Sequence, residues 1–300
     1  MQLAEGTIIK ALSGFFYVQD NEDKQVYQCR GRGILKKNNI SPLVGDHVYF
    51  SITTNQEGTI DEVKPRKNEF FRPKVANVDQ VLLVFTYEEP SWNQRLLDRF
   101  IVMAESVSVE SIIVFNKIDL LSDEQLIEVN EFKRLYESIG YKVIFVSTVD
   151  DLGKDKLNEL LKNRISMFSG QSGVGKSSIL NYLEPYLNLK TGVLSNKLGR
   201  GKHTTRHVEL FSLSNGGFIV DTPGFSQIDL LSIEEISLLA SYFRDINAVS
   251  DKCKYRRCTH TVEDGCNVIA QVNAGNIQQH RYNHYVELTE ALKEHLQNKY

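Results

Sequence analysis

A chain of 300 residues exceeds one average domain, and its composition (41 % apolar before glycine, 24 % charged, six prolines) excludes a disordered or collagen-like protein. The formal net charge of −3 gives no chain-wide basic field for nucleic acid, and the longest apolar runs, such as Val81–Phe85, fall far short of the roughly 18 residues of a membrane span. Met1–Glu5 lacks a basic and apolar leader and four cysteines are too few for a disulfide scaffold, so a cytoplasmic protein that does not enter membranes is expected.

Thr7–Lys10, Phe15–Val18, Val26–Cys29, Val44–Phe50 and Gly58–Ile60 read as short strands, broken by the turn Asp20–Asp23 and by Gly31 and Gly33. No helical period runs through them. A small barrel is expected over residues 1–69, five-stranded and OB-like by size, although an SH3-like barrel would read much the same. Arg30, Arg32, Lys36 and Lys37 gather in one loop region, and Lys64, Arg66, Lys67, Arg72 and Lys74 follow the last strand. With Phe15, Phe16 and Tyr17 as stacking candidates these suggest an RNA contact, but nearby acidic residues balance the charge and one or two of the rings must fill the core.

From 70 to 228 strands alternate with helices. Val78–Phe85, Ser111–Phe115, Lys142–Ser147 and Ile165–Ser169 read as strands, and Asn93–Ser106, Ser122–Ile139 and Lys154–Leu161 as helices. That alternation predicts an α/β domain with a mostly parallel sheet covered on both faces. Residues 229–300 turn helical, with a helix over Ser232–Phe243, a Cys/His-rich stretch, and a long polar helix from about Ala274 to the end.

Gly170-Gln171-Ser172-Gly173-Val174-Gly175-Lys176-Ser177 fits G-x-x-x-x-G-K-[ST], between a strand and a helix that continues through Ser178. Glycines let successive backbone N–H groups converge on phosphate oxygens, and the helix N-terminus adds partial positive charge. Lys176 would meet the β- and γ-phosphates, with a catalytic share in neutralising them, and Ser177 would ligate Mg²⁺. Asp221-Thr222-Pro223-Gly224 follows the apolar run Phe218–Val220, so Asp221 would hold Mg²⁺ through water and the Gly224 N–H would face the γ-phosphate. Gly199–Arg206 has the makeup of a switch loop carrying a threonine to the metal; spacing leaves Thr204 and Thr205 as alternatives, and Thr205 is taken as the ligand.

Asn116-Lys117-Ile118-Asp119 supplies the base selector. The Asp119 carboxylate can accept from N1–H and N2–H of guanine, donors that adenine does not match. Asn116 would fix the loop, the Lys117 stem would cover the ring, and Ser147-Thr148 would offer backbone N–H to the guanine O6. These loops precede the phosphate loop, whereas ordinary small GTPases have them after it, so the order is that of a circular permutation. Phe225 stands where a water-orienting glutamine is usual, and a phenyl ring cannot polarise water. His203 is the candidate to do so. Phe225 also supports the alternative of a slow or non-hydrolysing, GTP-dependent RNA-binding module.

Cys253-x₄-Cys258-x-His260-x₅-Cys266 offers three thiolates and an imidazole at the short spacing of a closed structural zinc site. Lys252, Lys254, Arg256, Arg257 and Tyr255 stand between the ligands as a candidate phosphate-backbone contact. Cys29, far from the cluster, reads as a small buried side chain.

Taken together, the barrel, the permuted motif order, Asp221-Thr222-Pro223-Gly224-Phe225 and the zinc spacing resemble the ribosome small subunit-dependent GTPase A family of bacteria over nearly the whole chain. The resemblance implies an OB-fold domain, a circularly permuted P-loop GTPase core and a zinc-binding helical domain. It also implies hydrolysis of GTP to GDP and phosphate stimulated by the 30S subunit, a role in late maturation of that subunit, and 16S rRNA as the surface contacted. A monomer is the expected state. A GDP pocket open at the ribose 3′ side would admit guanosine tetraphosphate as an inhibitor.

Overall fold

The structure is a computed structural model that describes residues 2–54, 56–70, 73–187, 208–221, 233 and 235–297. Five strands open the chain: β1 Gln2–Leu12, β2 Phe15–Asp20, β3 Val26–Gly31, β4 His47–Thr54 and β5 Glu57–Val63. They pair in the order β1-β2-β3-β5-β4, and β1 also pairs with β4, which closes a barrel. The parallel β3–β5 pairing and the short helix α1 (Gly33–Lys37) between β3 and β4 identify it as OB-type. Ile8, Val18, Val48, Phe50 and Ile60 fill it. The Asp20 carboxylate accepts the Glu22 N–H at 2.6 Å and the Asp23 N–H at 3.2 Å, which turns β2 into β3 as the sequence suggested. Before β4 the chain bends at Gly45, whose φ of +89° and close approach to the Ala76 carbonyl leave no room for a Cβ.

The barrel's basic residues are more committed than their spacing implied. Lys36 and Lys37 sit on α1, not in a loop. Lys64 pairs with Glu5 at 2.6 Å, Arg66 with Asp46 at 2.7 Å and Glu69 at 2.6 Å, and Lys67 with Asp79 at 2.8 Å. Arg72 lies outside the described residues. Phe16 packs on the barrel core, while the Arg30 guanidinium lies 4.5 Å from the Phe15 ring centre.

A two-stranded hairpin, β6 (Glu69–Phe70) and β7 (Val75–Ala76), leads into the larger sheet. Its strands are β8 Gln80–Phe85, β9 Glu110–Phe115, β10 Lys142–Phe145, β11 Ile165–Ser169, β12 Glu209–Ser212 and β13 Phe218–Asp221. The order β10-β9-β8-β11-β13 is parallel throughout, with β12 antiparallel beyond β13. Four helices cover it: α2 Gln94–Ser106, α3 Asp123–Ser138, α4 Lys154–Leu161 and α5 Lys176–Leu183. The uninterrupted apolar run of β8 reflects burial on both faces. Val81, Leu83 and Phe85 pack with Leu97 and Phe100 of α2 and Phe132 of α3, whereas Leu82 and Val84 meet Leu157 and Leu161 of α4 and Ile179 of α5. Local chemistry sets the helix starts. The Asn93 side chain accepts the Leu96 N–H, and Ser122 with Gln125 forms a capping box. The strand β12, absent from the sequence reading, pairs with β1 at Glu209 and Lys10, whose side chains lie 3.0 Å apart, so barrel and sheet are continuous.

Helices α6 (Ile236–Leu239), α7 (Arg244–Ser250), α8 (Asn267–Asn273) and α9 (Gln279–Gln297) build the C-terminal part. Two expectations need correction. The helix expected over Ser232–Phe243 appears, where described, as the short α6 followed by a 3-10 turn over Ala240–Tyr242. The long polar helix begins at Gln279 rather than near Ala274, because Gly275, at φ +77°, terminates α8 with its N–H on the Val272 carbonyl. A buried charge cluster fastens this part to the parallel sheet's helices. Arg281, 1 % exposed, donates to Asp245 at 2.6 and 2.8 Å and to Asp98 of α2. Asp98 also accepts the Tyr136 hydroxyl at 2.8 Å and meets His284 at 2.7 Å. Removing one partner of such a network costs about 3–5 kcal/mol, since it strands a charge in the interior.

Candidate functional site

Among the described residues, the loops that the sequence assigned to nucleotide chemistry leave the carboxyl edge of the parallel sheet, where α/β folds form ligand crevices. From β10 inward these are the 147–153 loop, the 116–119 loop after β9, the 170–175 loop after β11, and the end of β13 at Asp221; the 86–93 loop after β8 leaves the same edge.

The 170–175 loop is shaped by its glycines. Gly170, Gly173 and Gly175 have φ values of +143°, +89° and +92°. A Cβ on Gly170 would lie 2.2 Å from the Val84 carbonyl oxygen, and one on Gly175 would lie 2.3 Å from Asn116 Nδ2. Val174 is fully buried beneath the loop. The Lys176 ammonium donates to the Gly170 carbonyl at 2.8 Å and the Gln171 carbonyl at 2.7 Å, straddling the loop. Burial lowers its pKa to about 8, as expected for an ammonium without a nearby anion. Ser177 is buried at the start of α5, Ser178 is half-buried, and Gln171, Ser172 and Gly173 are on the rim.

Asn116 ties this loop to the base-selecting one. Its Nδ2 donates to the Val174 carbonyl at 2.8 Å, and its Oδ1 is buried with no hydrogen-bond partner among the described residues. Lys117, at φ +61°, reaches the Glu89 carbonyl at 2.9 Å. Asp119 stands exposed on the 3-10 turn Ile118–Leu120, its carboxylate free to meet a ligand. Ser147 is buried and its hydroxyl accepts the Val149 and Asp150 N–H groups at 3.2 and 3.1 Å, while Thr148 is half-buried. The structure therefore brings Asn116, Lys117, Asp119, Ser147 and Thr148 to one edge with the 170–178 segment. The sequence reading missed the 86–93 loop, whose only signal was its place after a buried strand. The side chain of Asp221, together with His203, Thr204, Thr205, Gly224 and Phe225, lies outside the described residues.

The second cluster is Cys253, Cys258, His260 and Cys266, whose ligand atoms all lie within 4.8 Å of one another. His260 Nδ1 is 3.4 Å from Cys253 Sγ and 3.5 Å from Cys266 Sγ, and those two sulfurs are 3.9 Å apart. A tetrahedral zinc with ordinary bond lengths would set S···N and S···S edges of about 3.6 and 3.8 Å, so the donor set fits. Burial pushes the Cys258 thiol up to about 12 and the His260 imidazole down; a divalent cation would reverse the cost of the thiolates. The surrounding bonds orient the set: the Asn267 N–H donates to Cys253 Sγ at 3.3 Å, and the Tyr282 and Tyr285 hydroxyls donate to the His260 and Thr259 carbonyls at 2.9 and 2.8 Å. Tyr255 and Val262 project from the knob into solvent. The distant Cys29 is fully buried among the barrel's apolar side chains, and that burial raises its thiol to about 12, as a small core residue should behave.

Comparison with known proteins gives three matches to family descriptions. Residues 5–60 match the RsgA N-terminal domain and residues 63–231 the RsgA GTPase. Residues 166–299 match a 50S ribosome-binding GTPase, a span that starts on the phosphate-loop strand and leaves the loops at 116 and 147 outside it, as a permuted order entails. The chain is 49 % identical to the small ribosomal subunit biogenesis GTPase RsgA of Geobacillus sp. (strain WCH70) over 97 % of this chain and 98 % of that one. It is 46 % identical, with the same coverage, to the protein of that name from Halalkalibacterium halodurans. Among solved structures, YloQ, described as a circularly permuted GTPase, is 39 % identical with a TM-score of 0.83, covering 98 % of this chain and 96 % of its own. YjeQ from Thermotoga maritima is 34 % identical with a TM-score of 0.84, covering 97 % and 99 %.

Elemental analysis of the purified chain should find one zinc per molecule. Cys258→Ser should lose it and lower the chain's thermal stability, and a variant that kept full stability without metal would contradict a structural role.

Proposed function

The chain belongs to the RsgA GTPase family, and from that membership we infer a GTP hydrolase that acts in biogenesis of the small ribosomal subunit. Residues 1–69 would serve as an RNA-contacting OB barrel, 70–228 as the permuted GTPase domain and 229–300 as the zinc-binding domain. The observation that carries the guanine-nucleotide reading is the Asn116 side chain bonded to the phosphate loop, which holds the loop bearing Asp119 beside it.

In this reading Asp119 accepts the two guanine donors, Lys117 covers the ring, and the Ser147-Thr148 backbone meets the guanine O6. Backbone N–H groups of Gly170–Ser178 cradle the phosphates while Lys176 leaves the Gly170 and Gln171 carbonyls for the β- and γ-oxygens. Ser177, Thr205 and Asp221 would hold Mg²⁺, which would supply charge neutralisation at the phosphoryl oxygens. The Gly224 N–H faces the γ-phosphate, and His203 orients the attacking water, a task Phe225 cannot perform. We assign the small subunit and its 16S rRNA as partners, guanosine tetraphosphate as a competing ligand of the GDP site, a monomer as the working state and the cytoplasm as the location. No helix among the described residues is long and apolar enough to cross a membrane.

Phosphate release from GTP, measured with and without purified 30S subunits, should rise many-fold with them. His203→Ala should lower the stimulated rate by roughly 10²-fold with GTP affinity nearly unchanged, and absence of stimulation would count against a subunit-dependent enzyme. Lys176 gives a second check. Its lowered pKa leaves it about half protonated at pH 8, and phosphate anions would restore the proton. Nucleotide binding at pH 8 should therefore take up about half a proton, declining toward none at pH 6, as read by calorimetry in buffers of different ionisation enthalpy. Binding heats that do not depend on the buffer would contradict a proton gained by Lys176 on meeting the phosphates.

A further inference from the structure

Beside the nucleotide edge lies a cavity of about 730 Å³ between the 86–93 loop, α2, α3 and Gln278 at the foot of α9. Its wall is aromatic: Trp92 packs at 4.8 Å from Phe115 and 4.4 Å from Phe132, centre to centre. Among the described residues its charged lining is Glu88, Glu128 and Glu131, all exposed, with no lysine, arginine or histidine. The wall is held in shape without a ligand. The Tyr87 hydroxyl donates to Glu128 at 2.6 Å, the Gln125 amide to Glu88 at 2.8 Å, the Thr86 hydroxyl to the Pro90 carbonyl at 2.9 Å and the Trp92 N–H to the Tyr87 carbonyl at 3.1 Å.

A preformed junction cavity of this kind is a binding site by shape, and its chemistry narrows the occupant. Three carboxylates repel RNA, nucleotides and free phosphate. A free amino acid would bring a carboxylate that no cation of the lining could meet. Aromatic walls with carboxylates at the rim suit a planar, weakly hydrated cation on an apolar stem, which is an arginine side chain within a polypeptide. We propose that this cavity receives an arginine from a basic segment of a partner protein, its guanidinium against Trp92 and paired with Glu128 and Glu131. This surface thus selects protein where the basic knob beside the cysteine cluster would favour RNA, and the assignment does not depend on the guanine-site reading.

Trp92 is the sole tryptophan of the chain, so its emission reports directly on the cavity. The full chain is titrated with a short acetylated and amidated glycine–arginine peptide, with its citrulline and lysine counterparts, and with spermidine. The arginine peptide should shift Trp92 emission saturably, the citrulline peptide should not, and the E128Q/E131Q variant should bind about tenfold more weakly. Both glutamates are exposed on α3, so circular dichroism should find the variant folded. Unmoved emission, equal binding by the citrulline or lysine peptide or by spermidine, or unchanged affinity in the folded variant would overturn the proposal.

Discussion

A single hydrogen bond, from the Asn116 amide to the Val174 carbonyl, joins the two halves of the nucleotide edge. Its net worth is on the order of 1 kcal/mol, yet it ties the 116–119 loop, proposed to read the base, to the 170–175 loop, proposed to cradle phosphate. The contact is possible because β8 alone separates their strands, β9 and β11, in a parallel sheet. It also explains why Gly175 cannot carry a side chain, since the Asn116 amide occupies that space. Chain order is irrelevant to such a site. Only the order of strands in the sheet matters, which is why a permuted sequence can keep a GTPase edge intact.

The other parts are arranged around that edge by contacts of a different kind. The barrel joins the sheet through β1 and β12 and the Lys10–Glu209 pair. The cysteine-bearing part is fastened by Arg281 between Asp98 and Asp245, with Tyr136 and Phe243 rings 5.2 and 5.3 Å from the guanidinium. Buried charges of this type contribute little net stability compared with apolar packing, but they admit one geometry. Asp98 lies on α2, which begins directly after the 86–93 loop, so the fastening point and the nucleotide edge share one rigid helix.

Much of this was legible in the residues. The alternation of strand and helix, the glycines of 170–175, the helix starts near Asn93 and Ser122 and the cysteine spacing are local signals, and each falls where the sequence reading expected. What was not legible depends on pairing at a distance. Barrel closure by β1 and β4, which separates an OB from an SH3-like barrel, leaves no trace in either strand alone. Glu209–Ser212 is only four residues long, and beyond its hairpin with β13 its second partner, Lys10 of β1, is 199 positions away. Arg281 reads as an ordinary surface cation on a polar helix, and only the fold places Asp98 and Asp245 around it. That acidic residues balance Lys64, Arg66 and Lys67 was legible in the domain's composition, but the particular pairings with Glu5, Asp46 and Asp79 were not, those partners being distant in sequence. Gly275 was a local signal overlooked, and it ends α8 and delays the start of the long polar helix.

The central claim is that Asp119, 57 positions before Lys176 in the chain, selects the base of the nucleotide whose phosphates Lys176 meets. Competition binding of GTP, ATP and xanthosine triphosphate to Asp119→Asn tests it most directly. Guanine would lose its carboxylate acceptor while the new amide could donate to the xanthine 2-oxo group, so the variant should bind GTP weaker by roughly 10²-fold or more and prefer the xanthine nucleotide. Unchanged GTP affinity in that variant, with no gain for xanthine, would contradict the account.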